Sequence, residues 1–160
     1  NEVLDNYYKI KYDDNYNLVE KINEPIVTQL KNEYGNNDIV GTITINGTDI
    51  DTMLVQTNNN TYYLNHSYDL SVNEMGSIFI DYRNNLDDKK LLIYGHNFRY
   101  KDGAFHQLTN YKDKSFYDNY PYIEISLNEE VNKYQIFSVM IEKPQKRYLQ
   151  GAQYTNFFGS

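Results

Sequence analysis

The chain has 160 residues, of which 40% are hydrophobic, and it contains 18 tyrosines, 7 phenylalanines and no cysteine. This length suits a single domain whose core is built largely from aromatic rings, and the lack of cysteine excludes disulfides, thiolate metal sites and a cysteine nucleophile within these residues. The formal net charge of −7 argues against nucleic acid as a partner, because phosphate binding needs a clustered basic surface.

The N-terminal part of the chain is predicted to be helical. Residues 15–34 carry an apolar stripe at four-residue spacing, formed by Leu18, Ile22, Ile26 and Leu30. Pro25 interrupts this run and can divide it into two short helices, and residues 35–37 form a stop signal. We therefore predict an N-terminal helical segment over residues 1–37.

After residue 38 the pattern changes to that of short strands. Six segments are β-branched, aromatic or alternating, namely residues 39–45, 53–55, 76–82, 90–94, 122–127 and 134–141. Short helical pieces are expected between residues 105 and 120, where Phe105, Leu108 and Tyr111 share a face. The spacing of the strands predicts a mainly β domain over residues 38–160, a barrel or a sandwich rather than alternating β-α-β units.

The segment that leads into His96 is apolar without alternation. Residues 91–94 are typical of a central strand that is covered on both faces and paired on both edges. Few strand candidates follow, and residues 122–127 and 134–141 are predicted to pair with each other. The pattern suggests that further strands belong to this sheet and are absent here. A histidine at a strand end is, by itself, more often structural than catalytic.

The chain resembles the class B sortases in a series of motifs between residues 24 and 150. The most specific are GSIFIDYRNN, IYGHN and, after them, FHQLTNYKDKSFY. The resemblance implies a β-barrel of eight strands with N-terminal helices, of which the last two strands are missing from this chain. It also implies a cysteine transpeptidase on the outer face of the membrane of Gram-positive bacteria, anchored by an N-terminal segment outside these residues.

The resemblance further implies a reaction and its partners. Class B sortases cleave a sorting signal of the NPxTN type through a thioester, and pass the acyl group to an amine of the cell-wall peptide or build pili. The expected partners are therefore a sorting-signal peptide and an amine of peptidoglycan or lipid II, with no cofactor. The open sheet edge beside His96 adds the prediction of a second copy or a swapped strand.

Four residues match positions of the family's site. His96 matches the catalytic histidine, which protonates the leaving amine and deprotonates the incoming one. Tyr94, on the same side of an extended strand, matches a position in the substrate groove. Asn60 and Leu64 match groove positions in the preceding loop, and such amide and apolar contacts suit a peptide bound in extended form.

The chain departs from the family at the nucleophile. The family's cysteine lies in a TLxTC strand and its oxyanion-stabilising arginine on the next strand, and the resemblance ends before both. The chain's own arginines at positions 83, 99 and 147 do not match that arginine. Thr42 stands where the family usually has Trp, and Met53 where it usually has Pro, so local packing is expected to differ.

Three functions remain open from the sequence. The first is a class B sortase that is inactive as this chain stands, and the second is a catalytically dead sortase-like module that binds peptides or acts as a scaffold. The third is an unrelated extracellular adhesion or glycan-binding β domain. His66 is expected at the surface and His106 partly packed in a helical piece. The three histidines are not closely spaced, so no metal site is expected.

Overall fold

The computed structural model describes residues 11–12, 18–20, 25–98, 104–128 and 130–140. Strands β1 (Lys11–Tyr12) and β2 (Leu18–Glu20) form a separate antiparallel pair. The prediction of helix is therefore wrong at residues 18–20, where strand pairing overrides the apolar spacing. The first helix, α1 (Ile26–Tyr34), begins directly after Pro25, a residue that starts helices more readily than it continues them. The remaining predicted helical residues before Pro25 lie outside the described residues, and the domain boundary at residue 37 stays a prediction.

Helix α1 ends where the sequence predicted. Gly35 adopts a left-handed conformation with φ of 61°, and its N–H donates to the Lys31 carbonyl. A left-handed glycine is a common helix terminator because it has no Cβ to clash with the preceding turn. The helix buries Ile26 and Leu30 against the sheet that follows.

The sheet has six strands in the order β6-β5-β4-β3-β7-β8. Their bounds are β3 (Ile39–Thr44), β4 (Asp51–Val55), β5 (Ile78–Ile80), β6 (Ile93–Tyr94), β7 (Tyr122–Leu127) and β8 (Glu130–Gln135). Neighbours are antiparallel except β4 and β5, which are parallel. The structure therefore confirms the prediction of a mainly β fold.

Short helices lie in the connections between β4 and β5 and between β6 and β7. One is a 3₁₀ helix over Tyr62–Leu64, and the others are a 3₁₀ helix over His106–Lys112 and α2 (Lys114–Asn119). The prediction of short helical pieces between residues 105 and 120 is thus confirmed. Within the described part of the chain, no helix has the length and apolar character needed to cross a bilayer.

Strand β5 is covered by apolar side chains on both of its faces. Ile78 and Ile80 pack into a cluster with Phe105 and Leu108, whereas Phe79 packs on the opposite face with Tyr63. Strand β6 repeats this division, since Ile93 joins the first cluster and Tyr94 the second.

Strand β6 is shorter than the predicted strand over residues 90–94. Among the described strands it pairs with β5, through Phe79 opposite Tyr94 and Ile80 opposite Ile93. No described strand lies on its outer side, and residues 91–94 are only half-buried. The expected neighbour on that edge is not part of the described sheet.

The last strand was predicted with the wrong bounds, although its pairing with residues 122–127 is confirmed. Strand β8 occupies residues 130–135 instead of 134–141, and residues 136–140 lie beyond the strand. The turn at Asn128, whose φ is 50°, pairs Leu127 with Glu130 and so fixes the register. The apolar side chains that suggested the later strand follow its end, and Phe137 and Met140 are exposed.

The two departures from the family pattern are partners in the sheet. Thr42 on β3 lies opposite Met53 on β4, and both side chains are buried. The two positions where the sequence departs from the family's usual residues are therefore neighbours across the β3–β4 pair.

Candidate functional site

A buried carboxylate, that of Asp81, organises the residues around the end of β5. Its side chain is 1% exposed. Oδ1 accepts hydrogen bonds from the backbone N–H and the Nε of Arg83, both at 2.9 Å, and Oδ2 accepts one from Nη2 of Arg83 at 2.7 Å. Oδ2 also accepts from Nδ2 of Asn60 at 3.0 Å and from the hydroxyl of Tyr94 at 2.8 Å. One side chain therefore joins two of the predicted site residues.

The charge of this cluster follows from its contacts. Hydrogen bonds from Arg83, together with those from Tyr94 and Asn60, hold the pKa of Asp81 well below its ordinary value although burial opposes this. The carboxylate raises the pKa of Arg83 in return. Burial and the bond to Asp81 raise the pKa of Tyr94 above that of a free phenol. At neutral pH the cluster is an anion, a cation and a neutral tyrosine.

The motif GSIFIDYRNN forms the strand and turn that position this carboxylate. After β5 the chain turns at residues 81–84, where the Asn84 N–H donates to the Asp81 carbonyl at 3.0 Å. Nε2 of Gln56 donates to the carbonyls of both residues, at 2.9 and 2.8 Å. Oδ1 of Asn84 accepts from the Leu92 N–H at 2.9 Å, which returns the chain to β6. The motif is thus a local structure in which Asp81, Arg83 and Asn84 all make specific bonds.

His96 lies just beyond β6, with its ring half-buried. Its Nε2 is 2.6 Å from the carbonyl oxygen of Leu64. A carbonyl oxygen only accepts, so Nε2 carries a proton in this arrangement. The ring stacks on Phe98 at 4.6 Å between centroids, and the His96 carbonyl accepts from the Phe105 N–H at 2.8 Å.

Gly95 holds the chain close to the core immediately before His96. A Cβ at this position would lie 2.9 Å from the ring of Phe105, closer than such contacts normally come. The glycine of IYGHN is therefore needed for close packing, and a side chain there would displace the histidine or the ring.

Leu64 and Asn60 come from the loop that precedes and forms the first 3₁₀ helix. Oδ1 of Asn59 accepts from the N–H groups of Thr61 and Tyr62, at 2.9 and 2.8 Å, and so begins this helix. Leu64 is the last helical residue and is half-buried against the second core cluster. The loop is therefore ordered by its own side chains before it meets β6.

The structure brings the four predicted site residues together in two pairs. Asn60 and Tyr94 meet through Asp81, and Leu64 meets His96 through its carbonyl group. Asp81 was not predicted as a site residue from the sequence, and Arg83 was considered only as a residue that does not match the catalytic arginine. The available signal was an acidic residue inside the most specific motif, directly after three buried apolar residues and two before an arginine.

The other two histidines have local roles. The ring of His66 stacks on Tyr62 with 4.1 Å between centroids, and His106 begins the second 3₁₀ helix. Among the described residues, no group of three or more His, Asp or Glu side chains could hold a metal ion.

Comparison with curated proteins identifies a sequence relative. Sortase B of Listeria monocytogenes is 41% identical over 107 residues, which is 65% of this chain and 43% of that protein. The chain spans about half the length of the curated relatives that it matches. No protein-family model matches the chain.

Solved structures with the same fold extend the comparison. A Staphylococcus aureus sortase B–substrate complex and a sortase B complexed with triglycine are each 32% identical, with a TM-score of 0.66, and the match covers 72% of this chain and 53% of theirs. A class B sortase of Streptococcus pyogenes involved in pilus biogenesis is 30% identical, with a TM-score of 0.65, over 76% of this chain and 69% of that one. With its fold and its motif residues in place, the chain belongs to the class B sortase family.

Proposed function

We propose that these residues form the part of a class B sortase that binds the sorting signal. An extended NPxTN-type peptide would lie along the edge formed by Asn60, Leu64, Tyr94 and His96. The observation that carries this proposal is that two independent contacts bring these four residues together, one through Asp81 and one between Leu64 and His96. The Staphylococcus aureus relative in complex with a substrate supports the same class of ligand.

His96 would act as the proton carrier of the reaction. In that role its imidazole donates a proton to the leaving amine of the cleaved signal and later removes one from the acceptor amine. We propose a wall-peptide amine or a pilin amine as the acceptor, which the triglycine complex of a relative supports. The hydrogen bond from Nε2 to the Leu64 carbonyl would hold the ring in a fixed orientation between these two steps.

Acyl transfer through a thioester also needs a cysteine thiolate, and the 160 residues contain no cysteine. We therefore propose that the chain binds the signal but does not cleave it as it stands, because the cysteine and arginine strands of the family are not among its residues. The DNA downstream of the codon for Ser160 separates two cases. A TLxTC sequence in frame indicates an active parent enzyme, on the outer face of the membrane and anchored by an N-terminal segment beyond these residues. Its absence indicates a catalytically dead binding module.

A titration with a labelled NPxTN peptide tests the binding proposal. We expect saturable binding that a scrambled peptide of the same composition does not show, and no cleavage product by mass spectrometry. The variant Tyr94→Phe should weaken binding. Its matched control is Tyr111→Phe, which also removes one hydroxyl bond, to the Tyr120 carbonyl at 2.8 Å, but in the other part of the core. Binding to glycans with indifference to the peptide would instead favour the adhesion module, and cleavage would contradict the proposed inactivity.

The outer edge of β6 adds a proposal on assembly. No described strand pairs with this edge, and we propose that a strand of a second copy adds to the sheet there. We expect concentration-dependent association by light scattering. A monomer at all concentrations, with the β6 amides protected from hydrogen exchange, would contradict it.

A further inference from the structure

We infer that Asp81 is the positioning residue of the proposed peptide groove, since its carboxylate holds the Asn60 amide and the Tyr94 hydroxyl in fixed orientations. This inference rests on the proposed function, because the groove is the site that these two side chains serve. Asp81 itself is buried and does not contact the ligand, so it acts through the two residues that it holds.

The geometry shows how one oxygen controls two side chains. Oδ2 of Asp81 accepts from both Asn60 and Tyr94, which come from positions 21 residues earlier and 13 residues later. Oδ1 of Asn60 accepts from the Tyr82 N–H at 3.0 Å, so its amide is held at both ends. The loop before the first 3₁₀ helix, the turn after β5 and strand β6 are thereby fixed relative to each other.

An ionised aspartate is suited to this task. A carboxylate only accepts hydrogen bonds. The Tyr94 hydroxyl must therefore donate a hydrogen bond to it, and Asn60 must turn its NH₂ group toward it. Five donors converge on the carboxylate, three of them from Arg83. The Arg83 side chain is 64% exposed and compensates the buried charge from the solvent side. Asn60 and Tyr94 are half-buried and so lie at the boundary between this anchor and the surface.

The consequence for binding is preorganisation. A peptide that contacts freely rotating side chains must order them, which weakens the affinity, whereas side chains already fixed in the free protein avoid this cost. Asp81 would therefore raise affinity without adding a contact to the ligand.

The test uses the 160-residue chain and the variant Asp81→Asn, which keeps the size of the side chain and removes its charge. In the free protein, NMR should show altered Asn60 side-chain amide resonances and a lower pKa for Tyr94, because the carboxylate raises that pKa. Arg83→Gln should shift the Tyr94 pKa in the opposite direction, because the guanidinium lowers it. Opposite shifts show that both charges act on the Tyr94 hydroxyl, whereas the Asn60 amide resonances report whether the side chain loses its fixed orientation.

In the peptide titration, Asp81→Asn should weaken binding about tenfold through lost preorganisation. The matched control is Asp38→Asn, which alters a second aspartate–tyrosine hydrogen bond, from Tyr63 at 3.0 Å, and should leave the affinity within about twofold. Unchanged Asn60 resonances and Tyr94 pKa in Asp81→Asn would overturn the inference, as would an equal loss of affinity in Asp38→Asn. If Asp81→Asn does not fold, the inference fails when Arg83→Gln leaves the Tyr94 pKa unchanged or lowers it.

Failure of the proposed function gives a different pattern. In that case the unmodified chain does not bind the NPxTN peptide, while the NMR readouts still decide whether Asp81 fixes Asn60 and Tyr94.

Discussion

Two hydrogen-bonded clusters in this molecule each contain an Asp, a Tyr and an Asn, but they differ in which of these residues is buried. In the first, the hydroxyl of Tyr63 donates to Asp38 at 3.0 Å and accepts from Asn36 at 2.9 Å. Tyr63 is 1% exposed and Asn36 is 3% exposed, whereas the aspartate lies farther out. In the second, Asp81 is the buried member, and Tyr94 and Asn60 lie toward the surface.

This difference in burial separates a structural cluster from a candidate site. The first cluster satisfies a tyrosine hydroxyl inside the core and links the turn after α1 to the first 3₁₀ helix through the bond between Asn36 and Tyr63. Asn36 also donates to the Tyr68 carbonyl at 2.6 Å. The second holds its polar side chains at the boundary with solvent. The type of residue therefore does not distinguish the two clusters, but the depth of each member does.

The largest expected effect is on stability in the first cluster. Tyr63→Ala should lower the free energy of unfolding by roughly 3–5 kcal/mol, because it removes a fully buried ring. Urea unfolding measures this loss. The matched control is Tyr82→Ala, at a residue that is 50% exposed, with an expected loss of only about 0.5 kcal/mol. Similar losses in both variants would show that Tyr63 is not a core residue.

The next effect is the pH dependence of stability that comes from Asp81. Its pKa is lowered in the folded protein, so its contribution is present above the ordinary value of 3.8 and is lost as the pH falls below it. Unfolding at pH 7 and at pH 3 should therefore show a smaller acid-induced loss in Asp81→Asn than in the unmodified chain, by about 1 kcal/mol. Identical pH profiles would contradict the assignment of a charged, bonded Asp81.

A smaller effect compares the two tyrosine hydroxyls. Tyr63→Phe should cost about 1–2 kcal/mol of stability, because Asn36 and Asp38 lose a buried partner, with no change in peptide affinity. Tyr94→Phe should cost less stability, about 0.5–1 kcal/mol, and should weaken peptide binding. A loss of affinity in Tyr63→Phe equal to that in Tyr94→Phe would remove the functional distinction between the clusters.

The smallest effect is at the end of α1, next to the first cluster. Gly35→Ala should lower stability by about 1 kcal/mol, because the left-handed conformation is strained for alanine although space is available for its Cβ. Thermal unfolding is the measurement, and peptide affinity should not change. An increase in stability would mean that Gly35 is not left-handed in the folded protein.

Sequence patterns located most of the sheet because β-branched runs between turn residues have one strong interpretation. The strands at residues 39–44 and 122–127 are examples. The helix expected before Pro25 is wrong at residues 18–20, since spacing alone does not include the partner strand at residues 11–12. The register of β8 depends on the left-handed Asn128, which the hydrophobic pattern does not reveal.

The candidate site was predicted from motifs and extended by the structure. Four site residues were named from their positions in the motifs, namely Asn60, Leu64, Tyr94 and His96. Asn60 and Tyr94 share the Asp81 carboxylate and Leu64 contacts His96, whereas their roles in binding and catalysis stay predictions. The motif GSIFIDYRNN contains Asp81, but the motif alone does not show what this residue does. Its importance depends on donors that are 13 and 21 residues away, and no local pattern joins them.

The most direct test of the proposed binding site is chemical-shift mapping with a saturating NPxTN peptide on the isotope-labelled chain. We predict that the largest changes occur at Asn60, Leu64, Tyr94 and His96, and that Asn36 and Tyr63 stay unperturbed. Changes confined to the cluster around Tyr63, or no changes at all, would contradict the claim that the surface-directed cluster is the binding site.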